Sequence, residues 1–270
     1  MISMLRILIL TFCITIALTT IFQITSASTI YVPNDYKKIQ WAIKNASAGD
    51  TIVVRDGVYY ESIFINKCLT IKSENGYTKT TINGVKSNTV LIVADSVRIE
   101  GFTITDAGCG IKIESSNNII LNNKVSSNDW CGIQVFRSSN NTIAYNNISL
   151  NGMHGIWLLE STNNKISNNN ISNNGDGILL EGSSNNIIYL NNLIDNYDNI
   201  RSSLSTNLWN SPKKITYTYN DKSYTNYFGN YWDDYKGLDH NLDGIGDKIY
   251  RTNSEADRYP LIRPWENYFR

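Results

Sequence analysis

The sequence predicts an all-β fold, a right-handed parallel β-helix, from an internal repeat, short apolar alternations and regular columns of asparagine. Between Gly110 and Ile200 the chain repeats about every 22 residues, a period typical of solenoids. Copies open at Gly110-Ile111, Gly132-Ile133, Gly155-Ile156 and Gly177-Ile178, with a degenerate copy at Asn199-Ile200. Within each copy apolar residues alternate, as Ile111/Ile113, Ile133/Val135, Ile156/Leu158 and Ile178/Leu180. A period of two belongs to very short strands and not to helices. Asn recurs at Asn118/Asn123/Asn128, Asn141/Asn146/Asn151, Asn164/Asn169/Asn174 and Asn186/Asn191/Asn196.

With one coil per repeat, stacked about 4.8 Å apart, the columns Ile120/Ile143/Ile166/Ile188 and Val125/Ile148/Ile171/Leu193 fill the interior. Asn suits the corners because it tolerates left-handed backbone and its amide both donates to and accepts from the Asn one coil away. Low-complexity disorder is the alternative for an Asn-rich tract. The apolar columns between the Asn residues argue against it.

The chain has 270 residues with 24 basic and 24 acidic side chains, so no basic field is present to recruit nucleic acid. Its N-terminus carries Arg6, an apolar run from Ile7 to Phe22, and Thr25-Ser26-Ala27. Basic, apolar and small segments in that order describe a secretory signal over residues 1–27, which places the mature chain in a secreted, periplasmic or cell-surface location. Membrane association follows only if this segment is retained. Cys13 leaves with it, and Cys68, Cys109 and Cys131 remain, an odd number. Cys109 and Cys131 precede the opening Gly of neighbouring copies and stack, so a disulfide between them needs a modest backbone movement.

Residues 28–206 form the β-helix with its N-terminal cap. A first strand over Ser28–Val32 ends at Pro33. Asn34 or Asp35 then caps a helix from Tyr36 to about Asn45, with Ile39, Ala42, Ile43 and Ala46 on one side, suited to covering the open end of the stack. Turns at Gly49-Asp50 and Asp56-Gly57 precede short strands at Thr51–Val54, Ser62–Ile65, Leu69–Ile71, Thr80–Ile82, Val90–Val93 and Val97–Ile99, an irregular set of early coils. Regular stacking runs from about Gly101 to Asn207. Residues 207–270 lose the period and crowd with aromatics, from Trp209 to Tyr235, which suits a cap over the second open end.

Four constellations are candidates for function. Asp239-His240-Asn241-Leu242-Asp243-Gly244-Ile245-Gly246-Asp247 presents oxygens from Asp239, Asn241, Asp243 and Asp247 and the Ile245 carbonyl at calcium-loop spacing, with Tyr250 where a bidentate Glu normally stands. Asp233, Asp234 or Asp257 is then needed to complete a structural calcium shell. Secondly, Cys109, Cys131, His154 and Asp176 stack in the column before each opening Gly, with Met153 beside them; thiolate and imidazole suit copper or zinc. Thirdly, the outward face of the opening strands stacks Lys112, Gln134 and Trp157 beside Phe136, an aromatic platform flanked by polar groups that fits a polysaccharide or another envelope component. A packing surface for the C-terminal cap or a loop is the competing reading of that face. Lastly, Asp129, His154, Asp176 and Arg137 approach one another across three coils, the elements of an acid-base site for a polysaccharide lyase, hydrolase or epimerase. Asn45, Asn140, Asn147 and Asn170 stand in glycosylation sequons.

Tyr31-Val32-Pro33 through Ile39-Gln40, Gly49-Asp50-Thr51-Ile52 and Gly57-Val58-Tyr59-Tyr60-Glu61 resemble the start of pectin-lyase-like parallel β-helix proteins, and the Asn-Asn repeats resemble the carbohydrate-binding and sugar-hydrolase coils of that superfamily. Gly229-Asn230-Tyr231-Trp232-Asp233-Asp234-Tyr235, with Gly237, Asp239, Asp243 to Asp247 and Tyr250, is similar to the end of the NosD family and its surface-protein relatives. The resemblance implies the parallel β-helix fold over nearly the whole mature chain. For the periplasmic branch it implies copper delivery to nitrous oxide reductase, although this chain has only 2 His and 3 Met to relay copper. For the surface branch it implies the scaffold without a defined activity. A non-catalytic binding protein is the function this reading favours.

Overall fold

The computed structural model describes residues 27–85, 87–252 and 255–269. The signal segment read from residues 1–27 therefore lies almost wholly outside the described residues. Three long parallel sheets of eight, seven and eight strands run the length of the chain, each strand pairing with its counterpart one coil away. This is an all-β parallel β-helix. Among the described residues no helix is long and apolar enough to cross a membrane.

The register follows the sequence columns. In the first sheet Ile30, Ile52, Ile71, Ile99, Ile120, Ile143, Ile166 and Ile188 stand one above another. In the third, Ile82, Ile104, Val125, Ile148, Ile171, Leu193 and Trp232 do the same. From Ile52 to Ile188 and from Ile82 to Leu193 these side chains have no exposed surface, so the two columns form a dry interior. The early coils are thus as regular in space as the later ones. Their turns vary in length, which hides the period in the sequence while leaving the pairing intact.

Asn118, Asn141, Asn164, Asn186 and Asn207 form the first of three side-chain ladders, each Nδ2 donating to the next Oδ1 at 2.9–3.0 Å. The second runs Asn123, Asn146, Asn169, Asn191 and Asn230, and the third Asn128, Asn151, Asn174 and Asn196. Each Oδ1 also accepts the backbone N–H of the preceding rung, as Asn146 does from Asn123 at 2.9 Å. The left-handed corner belongs to a different residue from the one expected. Positive φ falls on the residue before each rung from Asn118 to Asn196, at Asn117, Asn122, Ser127, Asn140, Tyr145, Leu150, Asn163, Asn168, Asn173, Asn185, Leu190 and Asp195. That turn aims the following Asn inward, where its amide replaces the hydrogen bonds that the bend removes from the backbone.

At the N-terminal end the helix spans Ile39–Asn45 and buries Ile39, Ala42 and Ile43 against the first coil. It starts later than the sequence suggests because Glu61 from the next coil, and neither Asn34 nor Asp35, accepts the N–H groups of Ile39 at 3.0 Å and Gln40 at 3.1 Å. Asp35 instead accepts from Tyr31 at 2.7 Å. Gly57–Tyr60, which follows the turn expected at Asp56-Gly57 and is not among the expected strands, is a strand paired with Thr80–Asn83. Its side chains are mostly solvent-facing, so no apolar alternation marks it.

At the other end Tyr231–Trp232 adds a last strand to the third sheet. Trp232 stacks on Tyr250 with centroids 4.2 Å apart and leans on Trp209 at 5.7 Å, covering the interior column beneath. A hairpin of Ile215–Tyr219 and Lys222–Asn226 packs Tyr217 against Phe228, Tyr224 and Tyr268.

Candidate functional site

The seven-stranded sheet that contains the opening strands presents its outer face to solvent. A cleft of about 710 Å³ on this face is lined by Asp106, Lys112, Asp129, Trp130, Gln134 and Trp157, with Cys109 and neighbouring corner residues completing its walls. Lys112, Gln134 and Trp157 occupy adjacent rungs of one outward column, which explains why they meet in one cleft. Trp157 is fixed at its edge by an Nε1 hydrogen bond to Glu181 at 2.9 Å. Trp130, 62% exposed, adds a second aromatic wall from the corner preceding the strand. Gln134 is only 8% exposed, yet its amide has no hydrogen-bond partner among the described residues. The amide is not one of the fully buried unpaired side-chain atoms, so it meets solvent where the residue lines the cleft.

Phe136, expected beside these residues, does not line the cleft. The Lys112 ammonium lies 5.3 Å from its ring centroid and the Arg137 guanidinium 4.9 Å, so cations cover the ring that was expected to serve as a platform. Trp130 escaped sequence reading because the corresponding corner of the other copies carries Gly108, Met153 or Gly175. The competing reading, that the C-terminal cap packs on this face, is not supported by the residues that line the cleft. Cap residues Trp265 and Glu266 dock on other faces, against Tyr145, Asn170 and Asn192, and no residue after Trp157 lines the cleft.

The four acid-base candidates divide into three places. His154 Nδ1 and Asp176 Oδ2 are 2.7 Å apart and both largely buried, although the contact lies off the hydrogen-bonding direction of the ring. Arg201 approaches the same carboxylate at 3.5 Å. Asp129 stands in the cleft. Arg137 binds Glu160 at 2.8 Å, and the hydrogen bond and charge of the guanidinium hold the Glu160 carboxyl below its ordinary range. No constellation of the four forms.

The soft-metal column is corrected in the same way. Cys109 and Cys131 are joined in a disulfide with a Cα–Cα distance of 4.6 Å, inside the range such bonds adopt, so neither offers a thiolate. His154 Nδ1 lies 2.7 Å from Asp176 Oδ2 without a hydrogen bond to it, and no thiolate stands beside it. The pair of sulfurs and the imidazole therefore do not fit a copper or zinc site in this structure.

The calcium-type loop spends its oxygens internally. Asp239 accepts from the N–H groups of Asp243 at 3.1 Å and Gly244 at 2.8 Å, Asp243 accepts from Ile245 at 2.8 Å, and Asn241 accepts from Asp243 at 3.2 Å. Asp247 turns to His240, accepting from its backbone N–H at 2.8 Å and lying 2.6 Å from its Nδ1, and these bonds lower its pKa. Ile245 is buried and bridged to Leu261. Among the described residues no three His, Cys, Asp or Glu side chains converge as a metal cluster, and this loop as folded does not fit a calcium shell.

Asp257, which sequence reading placed as a spare calcium ligand, is fully buried. It accepts from Asn230 N–H at 2.7 Å, Trp232 Nε1 at 3.0 Å and Tyr259 N–H at 2.9 Å. Burial pushes its carboxyl up to about 6, against the opposing pull of these donors. Of the sequon residues, Asn45 and Asn140 are exposed, whereas Asn170 is held by Glu266 and Asn192.

The stacked coils, apolar columns and Asn ladders define a parallel β-helix protein with an open outer-face cleft. Residues 23–237 match the family described as periplasmic copper-binding protein (NosD), and the chain belongs to that family. It is 38% identical over 105 residues to a cell surface glycoprotein of Methanothermus fervidus, covering 36% of this chain and 18% of the relative. Over 39 residues it is 51% identical to the probable ABC transporter binding protein NosD of Stutzerimonas stutzeri, covering 13% and 9%. The aligned parts thus span under a fifth of either relative. Among solved structures it is similar to the tailspike gp49 of Acinetobacter baumannii bacteriophage Fri1, a capsular polysaccharide depolymerase, with a TM-score of 0.50 at 9% identity over 67% of this chain and 40% of that one. That likeness is one of fold. Family and surface relative place the protein in the periplasm or at the cell surface.

Proposed function

We propose that this protein binds an envelope polysaccharide in the outer-face cleft and does not transform it. The observation that carries the reading is the meeting of Trp130, Trp157 and the unpaired, solvent-contacting amide of Gln134 in one cleft. Sugar rings offer apolar faces to stack on such indoles and hydroxyls to satisfy such an amide. A rigid sheet beneath the cleft holds these groups in place before any ligand arrives, which lowers the ordering cost of binding.

Catalysis has less support. A general acid needs a carboxyl shielded from water, and Asp106 and Asp129 are both exposed. His154 packs its ring against Trp157, 5.5 Å between centroids, with its Nδ1 unpaired beside Asp176, and Arg137 is held by Glu160. Copper handling, which the family description raises, gains nothing from the joined cysteines. The chain covers a small part of its curated relatives, so their roles do not carry over whole.

The test is a glycan array probed with wild-type protein, Trp130→Ala and Trp157→Ala, with release of reducing ends followed in parallel. Binding by the wild type that both substitutions weaken, without new reducing ends, is the expected result. Reducing-end release lost on Asp129→Asn would overturn the non-catalytic reading.

A further inference from the structure

We infer that the cleft selects amino sugars carrying a free ammonium group over uronic acids; this rests on the glycan-binding reading and narrows it. The inference follows from which charges on the outer face are compensated. Lys112, the one cation among the described residues that line the cleft, is 2.6 Å from Glu114 and also leans on the Phe136 ring. Beyond the cleft, Arg137 is matched by Glu160 and Arg201 by Asp176. Each of these cations already faces a carboxylate.

The two acids of the cleft are not matched. Asp106 takes only a hydrogen bond from the Asn83 amide, and Asp129 has neither a hydrogen bond nor an ion pair through its side chain among the described residues. A uronate would bring its own carboxylate against this pair, and among the described residues that line the cleft no free cation meets it. Like charges brought together in a partly desolvated cleft repel, and that repulsion excludes the wrong ligand as effectively as contacts favour the right one. An ammonium group meets the reverse situation. Asp106 and Asp129 accept from it, and the faces of Trp130 and Trp157 attract a cation through the ring quadrupole. The Gln134 amide serves the hydroxyls of the same sugar.

Two exposed charge contacts of ordinary strength, with some contribution from the indoles, give a preference of about tenfold. Calorimetric titration at pH 6 and low salt, with hexamers of glucosamine, N-acetylglucosamine and galacturonic acid, tests this on the disulfide-bonded protein. Glucosamine hexamer binding tightest, with its advantage over the N-acetylated hexamer lost in Asp129→Asn, is the expected result. Asp129→Lys should move the preference toward galacturonate. Equal or tighter binding of galacturonate by the wild type, or an unchanged preference in Asp129→Asn, overturns the selectivity and leaves glycan binding standing. If none of the three hexamers binds, the selectivity and the reading beneath it fall together.

Discussion

The side-chain amide of Asn207 donates to Glu255 Oε1 at 3.0 Å, and with that bond a row of five asparagines ends on a carboxylate. The other two rows end alike. Asn230 meets Asp257 through its backbone N–H at 2.7 Å and its amide at 3.5 Å. Asn196 passes to Asn199, whose amide donates to Asp233 at 2.8 Å and Asp234 at 3.0 Å. Every amide in a row points its N–H toward the C-terminal end, so the dipoles add and leave unmatched donors there, as at the N-terminus of an α-helix. The cap supplies negative charge at all three exits. At the opposite end backbone N–H groups of Val97, Phe102 and Ala107 donate to the first Oδ1 of each row.

Replacing Glu255 by Ala leaves the Asn207 amide and Trp209 Nε1 without the acceptors they now have at 3.0 and 2.9 Å. The loss is about 1–3 kcal/mol, read as a lower urea midpoint. Glu255→Gln restores an acceptor without the charge and should recover only part of it.

An interior rung is worth more than an end. Asn146 accepts from both donors of Asn123 and donates to Ile120, Ala144 and Asn169. Asn146→Ala opens unsatisfied groups on two coils at once, so its cost exceeds about 3 kcal/mol. Thermal melting of Asn146→Ala beside Glu255→Ala checks the order.

Asp257 sets a pH dependence of defined sign. Its folded-state value of about 6 stands above the roughly 3.9 of an unfolded chain. The folded protein therefore binds this proton more tightly, and the stabilisation is full below about pH 4 and lost as pH rises through 6. Acidification from pH 7 to 5 should raise the unfolding free energy by about 1–2 kcal/mol from this group. Asp50, held low mainly by hydrogen bonds from the Ser28 and Ser47 N–H groups, acts in the opposite sense only below the ordinary carboxylate range. Urea midpoints followed by tryptophan fluorescence should show the slope in wild type and lose it in Asp257→Asn.

The Cys109–Cys131 bond closes a loop with a sequence separation of 22. Reduction should cost about 3 kcal/mol through the freedom returned to the unfolded chain. Copper(I) titration should show uptake at these sulfurs only after reduction, because a disulfide supplies no thiolate.

Much of the architecture was legible because a solenoid writes its spatial neighbours at a fixed separation in sequence. Cys109 over Cys131 and Gln134 beside Trp157 followed from counting alone, and the structure keeps both. What counting does not show is what a side chain does with its hydrogen bonds. Asp239, Asn241, Asp243 and Asp247 have calcium-loop spacing, but their oxygens satisfy the loop's own N–H groups. Trp130 sits at a corner where the copies differ, so no column announced it. Glu61, Glu255 and Asp257 act on residues one coil or more away, and isolated acids in irregular sequence carry no period to reveal a partner.

The most direct test of the binding cleft is hydrogen exchange of the protein with and without a glycan that it binds. Slowed exchange confined to residues 106–112 and 129–134 is the predicted result, with Trp157→Ala abolishing it. Slowed exchange centred instead on the groove between Tyr145 and Trp265, with the 106–134 corners unchanged, would contradict the account.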